Sequence, residues 1–203
     1  MRRSELVQAL ARVPEFPHPS ARREQLATPP EAAADLLGLA DQLDGLSGRS
    51  VLDLGLGTGR LAIGAALLGA GPVVGVEVDQ DAAGVARTAA DRAGVDLEIV
   101  EADVATFDRP ADLVVMNPPF GAQTRHADRP FFDAAYRLAR RSVYAFALAD
   151  SRTFIARRAV ASAAHIIETR PVRWELGRTL PHHTHSRVPL PVDLWAIRTG
   201  TSP

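Results

Sequence analysis

Cysteine is absent from the 203 residues, which excludes disulfides and thiolate metal sites, so any zinc in this system has to belong to a partner. Lysine is absent as well; all 23 basic residues are arginine. Long apolar runs are missing, because Gly, Asp or Glu interrupts each one. The opening Met1-Arg2-Arg3-Ser4-Glu5 is not followed by a signal-like apolar stretch. No membrane span and a cytoplasmic location are therefore expected. What is present, 46% hydrophobic and 23% charged residues, suits one soluble α/β domain over residues 1–203 with a core large enough to stand alone.

The formal net charge of −1 hides an imbalance. Residues 1–120 hold 10 Arg and 18 acidic residues, and residues 121–203 hold 13 Arg and 6. The second part, which also has five of the six His, is a candidate phosphate-facing surface, with solvated helix faces as the alternative.

Leu6, Leu10 and Val13 stand at helical spacing in residues 2–13, and the Pro-rich run from Pro14 to Pro19 then forbids regular structure. Thr28-Pro29-Pro30-Glu31 has the spacing of a capping box with Pro at the first helical position, which predicts a helix over 29–43 capped by Thr28. Strands are expected at 50–54, 73–78, 97–101, 111–116 and 142–148, and helices from about residue 59, at 80–93, 129–140 and 151–163. This alternation argues for a parallel sheet with helices on both faces. Val172, Trp174 and Leu176 alternate, as do Val192, Leu194 and Ala196. They predict two last strands joined by residues 179–190, a connection long enough to suggest function.

In Asp53-Leu54-Gly55-Leu56-Gly57-Thr58-Gly59, three glycines stand where a buried strand turns into a helix, and Glu77 closes the next strand. Glycines let backbone approach a ligand, and an acidic side chain at the next strand end can accept hydrogen bonds from both ribose hydroxyls. Asp53 suits an amino-acid ammonium and repels a pyrophosphate, which favours S-adenosylmethionine over a dinucleotide. Asp103, after the third strand, is placed to read an adenine ring. Each acid alone could equally be a helix cap or a loop residue; their joint placement at successive strand ends is what points to a cofactor.

The fourth strand ends in Asn117-Pro118-Pro119-Phe120. A stiff strand exit explains the prolines but not the Asn. The amine on an adenine ring is a poor nucleophile because its lone pair is delocalised. An Asn117 side-chain oxygen and the Pro118 carbonyl can each accept one amine hydrogen, which localises the lone pair and aims it at a sulfonium methyl. Pro118 and Pro119 would fix that carbonyl, and Phe120 would offer a face on which a flipped base stacks.

With these motifs in this order, the chain resembles the adenine-N6 methyltransferases of class I fold, most closely the methyltransferase-like protein 5 family acting on small-subunit ribosomal RNA. The similarity runs from about Glu24 to Ile197. It includes Glu24-Gln25-Leu26-Ala27-Thr28-Pro29-Pro30, the turn from Asp53 to Gly59, Gly75-Val76-Glu77-Val78-Asp79, Asp103-Val104 and Met116-Asn117-Pro118-Pro119-Phe120-Gly121. The resemblance implies a Rossmann-like, mostly parallel seven-stranded sheet with an antiparallel last strand. It implies a cofactor-closing segment in residues 1–28 and a core over 29–203. It further implies that Gln25 and Thr28 close over S-adenosylmethionine, that Gly55, Thr58 and Arg60 stand at the turn, that Glu77 holds the ribose, and that Asp103 and Val104 meet the adenine. A small zinc-binding activator subunit, paired through the sheet edge near the third strand, is the partner it implies.

Leu56 replaces the Cys usual in that family's turn, and Ala147-Leu148-Ala149-Asp150-Ser151 replaces a basic His-Lys pair. In place of a Lys-rich loop stands Leu180-Pro181-His182-His183-Thr184-His185-Ser186-Arg187. His182, His183 and His185 lack the spaced carboxylate or Cys of a metal site, so no metal is expected; with Arg187 they read as contacts to RNA phosphate. Protein glutamine or DNA adenine methylation, and a catalytically silent scaffold that binds RNA or a partner, stay open on the residues alone.

Overall fold

A computed structural model describes residues 1–121, 124–175 and 189–200. The expected loop residues His182, His183, His185 and Arg187, and Leu176, lie outside them. Six helices and seven strands are described. The helices are α1 (Arg3–Leu10), α2 (Pro30–Asp44), α3 (Arg60–Leu67), α4 (Gln80–Ala93), α5 (Arg129–Leu138) and α6 (Arg152–Ala161). The strands are β1 (Val51–Leu54), β2 (Val73–Glu77), β3 (Glu98–Glu101), β4 (Ala111–Met116), β5 (Ala139–Leu148), β6 (His165–Glu175) and β7 (Pro189–Arg198). They form one sheet of order β3-β2-β1-β4-β5-β7-β6. The first five strands run parallel, and β7 enters antiparallel between β5 and β6. This is the class I methyltransferase arrangement, as the resemblance implies.

Alternate residues of the central strands feed two cores. Leu113, Val115, Tyr144 and Phe146 pack with Leu36, Leu37 and Leu61 of α2 and α3. Val114, Met116, Val143 and Ala145 pack with Phe132 and Ile155 of α5 and α6. Burial on both faces is why β4 reads as an unbroken apolar run rather than an alternation.

Thr28 is not the helix cap that its spacing predicts. The N-cap of α2 is Pro29, which makes no side-chain capping bond. Pro29 and Pro30 have no N–H, so the first turn offers fewer donors for a cap to satisfy. The Thr28 hydroxyl is engaged elsewhere, as described below. Strand β6 begins at His165, seven residues before the expected Val172. Its added residues 165–171 show no apolar–polar alternation and include Pro171, which an edge strand tolerates because among the described residues only β7 pairs with it. α1 ends at Leu10 rather than residue 13, and α5 ends at Leu138, after which Ala139 already pairs with Ala111 of β4.

Leu56 fits this turn because of what stands opposite. A Cβ on Gly75 of β2 would lie 2.6 Å from Leu56 Cδ1 and 3.0 Å from its Cγ, too close for a rotation of the terminal methyls to relieve. Gly75→Ala is expected to lower stability by about 1–3 kcal/mol, the usual cost of overpacking, seen as a lower urea midpoint. Leu56→Cys should recover much of that loss.

Where α2 ends beneath the sheet, Asp44 accepts from Tyr144 Oη at 2.6 Å and from Arg198 Nη1 at 2.6 Å, with Arg141 Nε at 3.5 Å. Burial works against ionising this carboxyl, but hydrogen bonds from Tyr144, Ser142 and Arg198 outweigh it and hold the carboxyl below its ordinary value of 3.8. A lowered folded-state value stabilises the fold above the unfolded value, and that stabilisation is lost as pH falls through the folded one. Asp44→Asn should therefore reduce the thermal midpoint at pH 7 and make it less sensitive to pH below 4. An unchanged acid limb would contradict this reading.

Candidate active site

At the carboxyl ends of β1, β2 and β4, where an open parallel sheet places its ligands, lies a cavity of about 340 Å³. Its wall brings together Gln25, Thr28, Asp53, Gly55, Gly57, Thr58, Arg60, Glu77, Asp103, Val104, Asn117 and Pro119, residues spread over 95 positions of chain. Two of the expected site residues are not in this wall. Pro118 is buried beside it, and the Phe120 ring packs edge-on against Trp174, centroids 5.6 Å apart.

The glycine turn leaves β1 with Gly55 at φ +74° and Gly57 at φ +56°, values that side chains rarely adopt. Close approach adds a second constraint. A Cβ on Gly55 would meet Phe131 Cε1 at 2.7 Å and one on Gly57 would meet Phe16 Cζ at 2.9 Å. Phe16 and Phe131 thus cover the turn from two sides. Neither was singled out from the sequence. Phe16 hides in a Pro-rich linker. Phe131 could have been found, because its neighbour Phe132 is fully buried in the core and adjacent helical residues point about 100° apart.

Asp53 is 1% exposed and accepts from the Ala62 N–H at 3.0 Å. Burial pushes its carboxyl well above the ordinary value of 3.8; the Ala62 hydrogen bond opposes this and the nearby Glu77 adds to it. Glu77 is also buried, with Oε2 accepting from Gly57 N at 2.8 Å and Oε1 from Asp79 N at 2.9 Å. Each oxygen keeps a second lone pair. Asp103 is exposed at the rim, turned back on Ala105 N at 2.9 Å, and Val104 is buried beside it. Val78, 57% exposed, adds bare apolar surface to the wall.

Residues 20–28 cross the cavity as a strap, tied at both sides. Toward the glycine turn, Gln25 Nε2 donates to Asp79 Oδ2 at 2.9 Å, and Arg23 pairs with the same carboxylate. Toward β4, Glu24 accepts from Gly121 N at 2.8 Å and from Thr124 N at 3.3 Å. Asn117 Nδ2 donates to Thr28 Oγ1 at 3.0 Å and to the Leu26 carbonyl at 3.3 Å. Arg60 is buried and donates to the carbonyls of Thr28 and Val13. Its guanidinium therefore holds the strap from inside. Glu24 and Asp79 are the further site residues that sequence reasoning left without a role; both lie inside matched motifs, but their pairings span 97 and 54 positions.

Asn117 Oδ1 is buried and has no hydrogen-bond partner among the described residues. A buried acceptor left unpaired in a cavity wall is costly unless something from outside satisfies it. Among the described residues no group of three His, Asp or Glu could hold a metal.

Sheet order, glycine turn, acidic strand ends and an Asn-Pro-Pro-Phe strand exit define a class I methyltransferase. Residues 32–142, over half of the chain, match the Methyltransferase small domain family. A Pyrococcus horikoshii structure described as a candidate RNA methyltransferase superposes with a TM-score of 0.90 at 35% identity, covering 98% of each chain. The rRNA N(6)-adenosine-methyltransferase Mettl5 of Drosophila melanogaster is 33% identical over 92% of this chain and 91% of its own length. The zebrafish (Danio rerio) METTL5 is 30% identical over 95% and 97%. The chain belongs to this METTL5 family.

Proposed function

We propose that this chain is an S-adenosylmethionine-dependent methyltransferase that acts on the N6 amine of an adenine in ribosomal RNA, with small-subunit rRNA as the carrier. The observation that carries the reading is Asn117. Its amide nitrogen is committed to the strap, and its oxygen is a buried acceptor with an unfilled bond at the cavity wall, which is what an amine hydrogen requires. The cofactor supplies a methyl group on a positively charged sulfur. The residues suit it: Asp53 would accept from an ammonium, Glu77 from ribose hydroxyls, and Val78 and Val104 would flank an apolar ring with Asp103 near its edge.

Asn117 Oδ1 and the Pro118 carbonyl would draw the two amine hydrogens and leave the nitrogen lone pair free to take the methyl group that the sulfonium would give up. The proton released from nitrogen passes to water, and no strong base is needed. Phe120, braced by Trp174, is assigned to stack on the incoming base. His182, His183, His185 and Arg187 are assigned to RNA phosphate contact, and a cytoplasmic location is part of the same reading. No described helix is long and apolar enough to cross a membrane.

A small zinc-binding activator is proposed as partner at β3. Among the described residues that strand pairs only with β2 and leaves an open edge, and a chain without cysteine leaves thiolate ligands for zinc to the partner. Labelled-methyl transfer to rRNA, DNA and release-factor protein compares the substrate classes directly. Label in N6-methyladenosine of rRNA is expected; label in DNA, or in a glutamine side chain, would overturn the substrate assignment.

A further inference from the structure

We infer that Thr28 is a positioning residue for the transfer step: with the Leu26 carbonyl it sets the orientation of the Asn117 side-chain amide. This rests on the reading of Asn117 as the group that holds the amine. An Asn side chain presents an acceptor on one side and two donors on the other, and only the acceptor can receive an amine hydrogen. Rotating the amide by half a turn would offer the amine an NH₂ group and stop the reaction.

The Leu26 carbonyl is an acceptor only. At 3.3 Å from the amide it demands nitrogen and repels oxygen. Thr28 Oγ1 receives the second N–H at 3.0 Å. Thr28 is itself 7% exposed, so water does not readily replace it. Both amide hydrogens are then satisfied, and Oδ1 is the atom left over. Arg60, donating to the Thr28 carbonyl, fixes the backbone from which the hydroxyl reaches. Thr28 also borders the cofactor cavity, so one residue of the strap serves both halves of the site. The orientation of Asn117 is correct only when the strap lies across the cavity.

The test compares Thr28→Val, isosteric but without an acceptor, with Thr28→Ser, which keeps it. Both are made in the full chain, alone and combined with Asn117→Ala, and read by single-turnover methyl transfer to small-subunit rRNA. Thr28→Val is expected to slow transfer about tenfold, the value of one hydrogen bond. Its thermal midpoint should remain within a few degrees of wild type and its S-adenosylmethionine affinity within about twofold, and Thr28→Ser should restore the rate. In the Asn117→Ala background Thr28→Val should add nothing, because residues acting through one group are not additive.

A wild-type rate for Thr28→Val, a loss confined to cofactor affinity, or the same tenfold loss on top of Asn117→Ala would overturn the positioning role while leaving the function intact. Full activity of Asn117→Ala would overturn both. A readout that needs no variant is the Asn117 side-chain NH₂ pair in a ¹H–¹⁵N spectrum. Slow exchange with water is expected for both protons, and exchange at the rate of an exposed Asn contradicts the contact.

Discussion

Asn117→Ala is expected to lower the rate of methyl transfer by about 10²–10³-fold, the usual cost of removing one preorganised hydrogen-bonding group from a reacting centre, with little change in S-adenosylmethionine affinity. The separation follows from the geometry. In the proposed reading the unpaired Asn117 oxygen receives the amine, whereas the buried Asp53 and Glu77 of the same cavity are assigned to the cofactor. Mass spectrometry of small-subunit rRNA from a strain carrying the variant checks this in the cell. N6-methyladenosine at the wild-type level would remove the basis of the proposed function. Asn117→Asp is a sharper control, since it keeps an acceptor but replaces the donor nitrogen. A carboxylate oxygen 3.3 Å from the Leu26 carbonyl is repelled, so this variant too should be severely impaired.

The second large effect concerns Asp53, for which binding and stability should move in opposite directions. Burial raises the Asp53 carboxyl well above its ordinary value. For an acid whose folded-state value is raised, the favourable contribution to stability is complete at pH below the unfolded value and is lost as pH rises through the folded one. Above that raised value a charged Asp53 therefore works against the fold. Asp53→Asn keeps an acceptor for the Ala62 N–H, which caps α3, and removes the charge. Its thermal midpoint should rise at pH above the raised Asp53 value, and the dependence of that midpoint on pH should weaken.

Cofactor binding should suffer. Removing one partner of a buried charged pair costs about 2–5 kcal/mol, so calorimetry should show S-adenosylmethionine affinity reduced about 30-fold or more. In the wild type the affinity should grow as pH rises through the raised Asp53 value, because the carboxyl must ionise to receive an ammonium. An Asn variant that binds S-adenosylmethionine as well as wild type would place the ammonium elsewhere. Stability gained at the expense of function is the behaviour expected of a group retained for chemistry.

Local chemistry explains why much of this was readable beforehand. The glycine turn, Glu77 and Asn117-Pro118-Pro119-Phe120 each lie within a few residues of a strand end. In a parallel sheet all strand ends of one polarity meet at one rim. Order along the chain is therefore enough to predict that Asp53, Glu77, Asp103 and Asn117 share a cavity. The five parallel strands were legible for a similar reason, since burial on both faces makes their apolar runs conspicuous.

The strap was another matter. Thr28 has the spacing of a helix cap, yet two prolines leave that cap little to bond, and its hydroxyl serves a residue 89 positions away. Arg60 stands at the turn as the resemblance implies, but that its guanidinium reaches the Val13 and Thr28 carbonyls is not written in the motif. Phe120 read as an open stacking face, and its ring is held against Trp174 of β6. None of these pairings leaves a periodicity or a spacing in the chain.

Absence of cysteine, the charge imbalance after Phe120, the polarity of each strand end and the four residues from Asn117 to Phe120 are properties of the chain, and they suffice to name a methyl-transfer chemistry. Which oxygen of the site is left unpaired, which arginine grips the strap and which threonine aims the amide are decided by contacts between segments 32 to 91 residues apart. Side-chain hydrogen bonds depend on distances of tenths of an ångström between those segments, and only the packed sheet and its two cores set such distances.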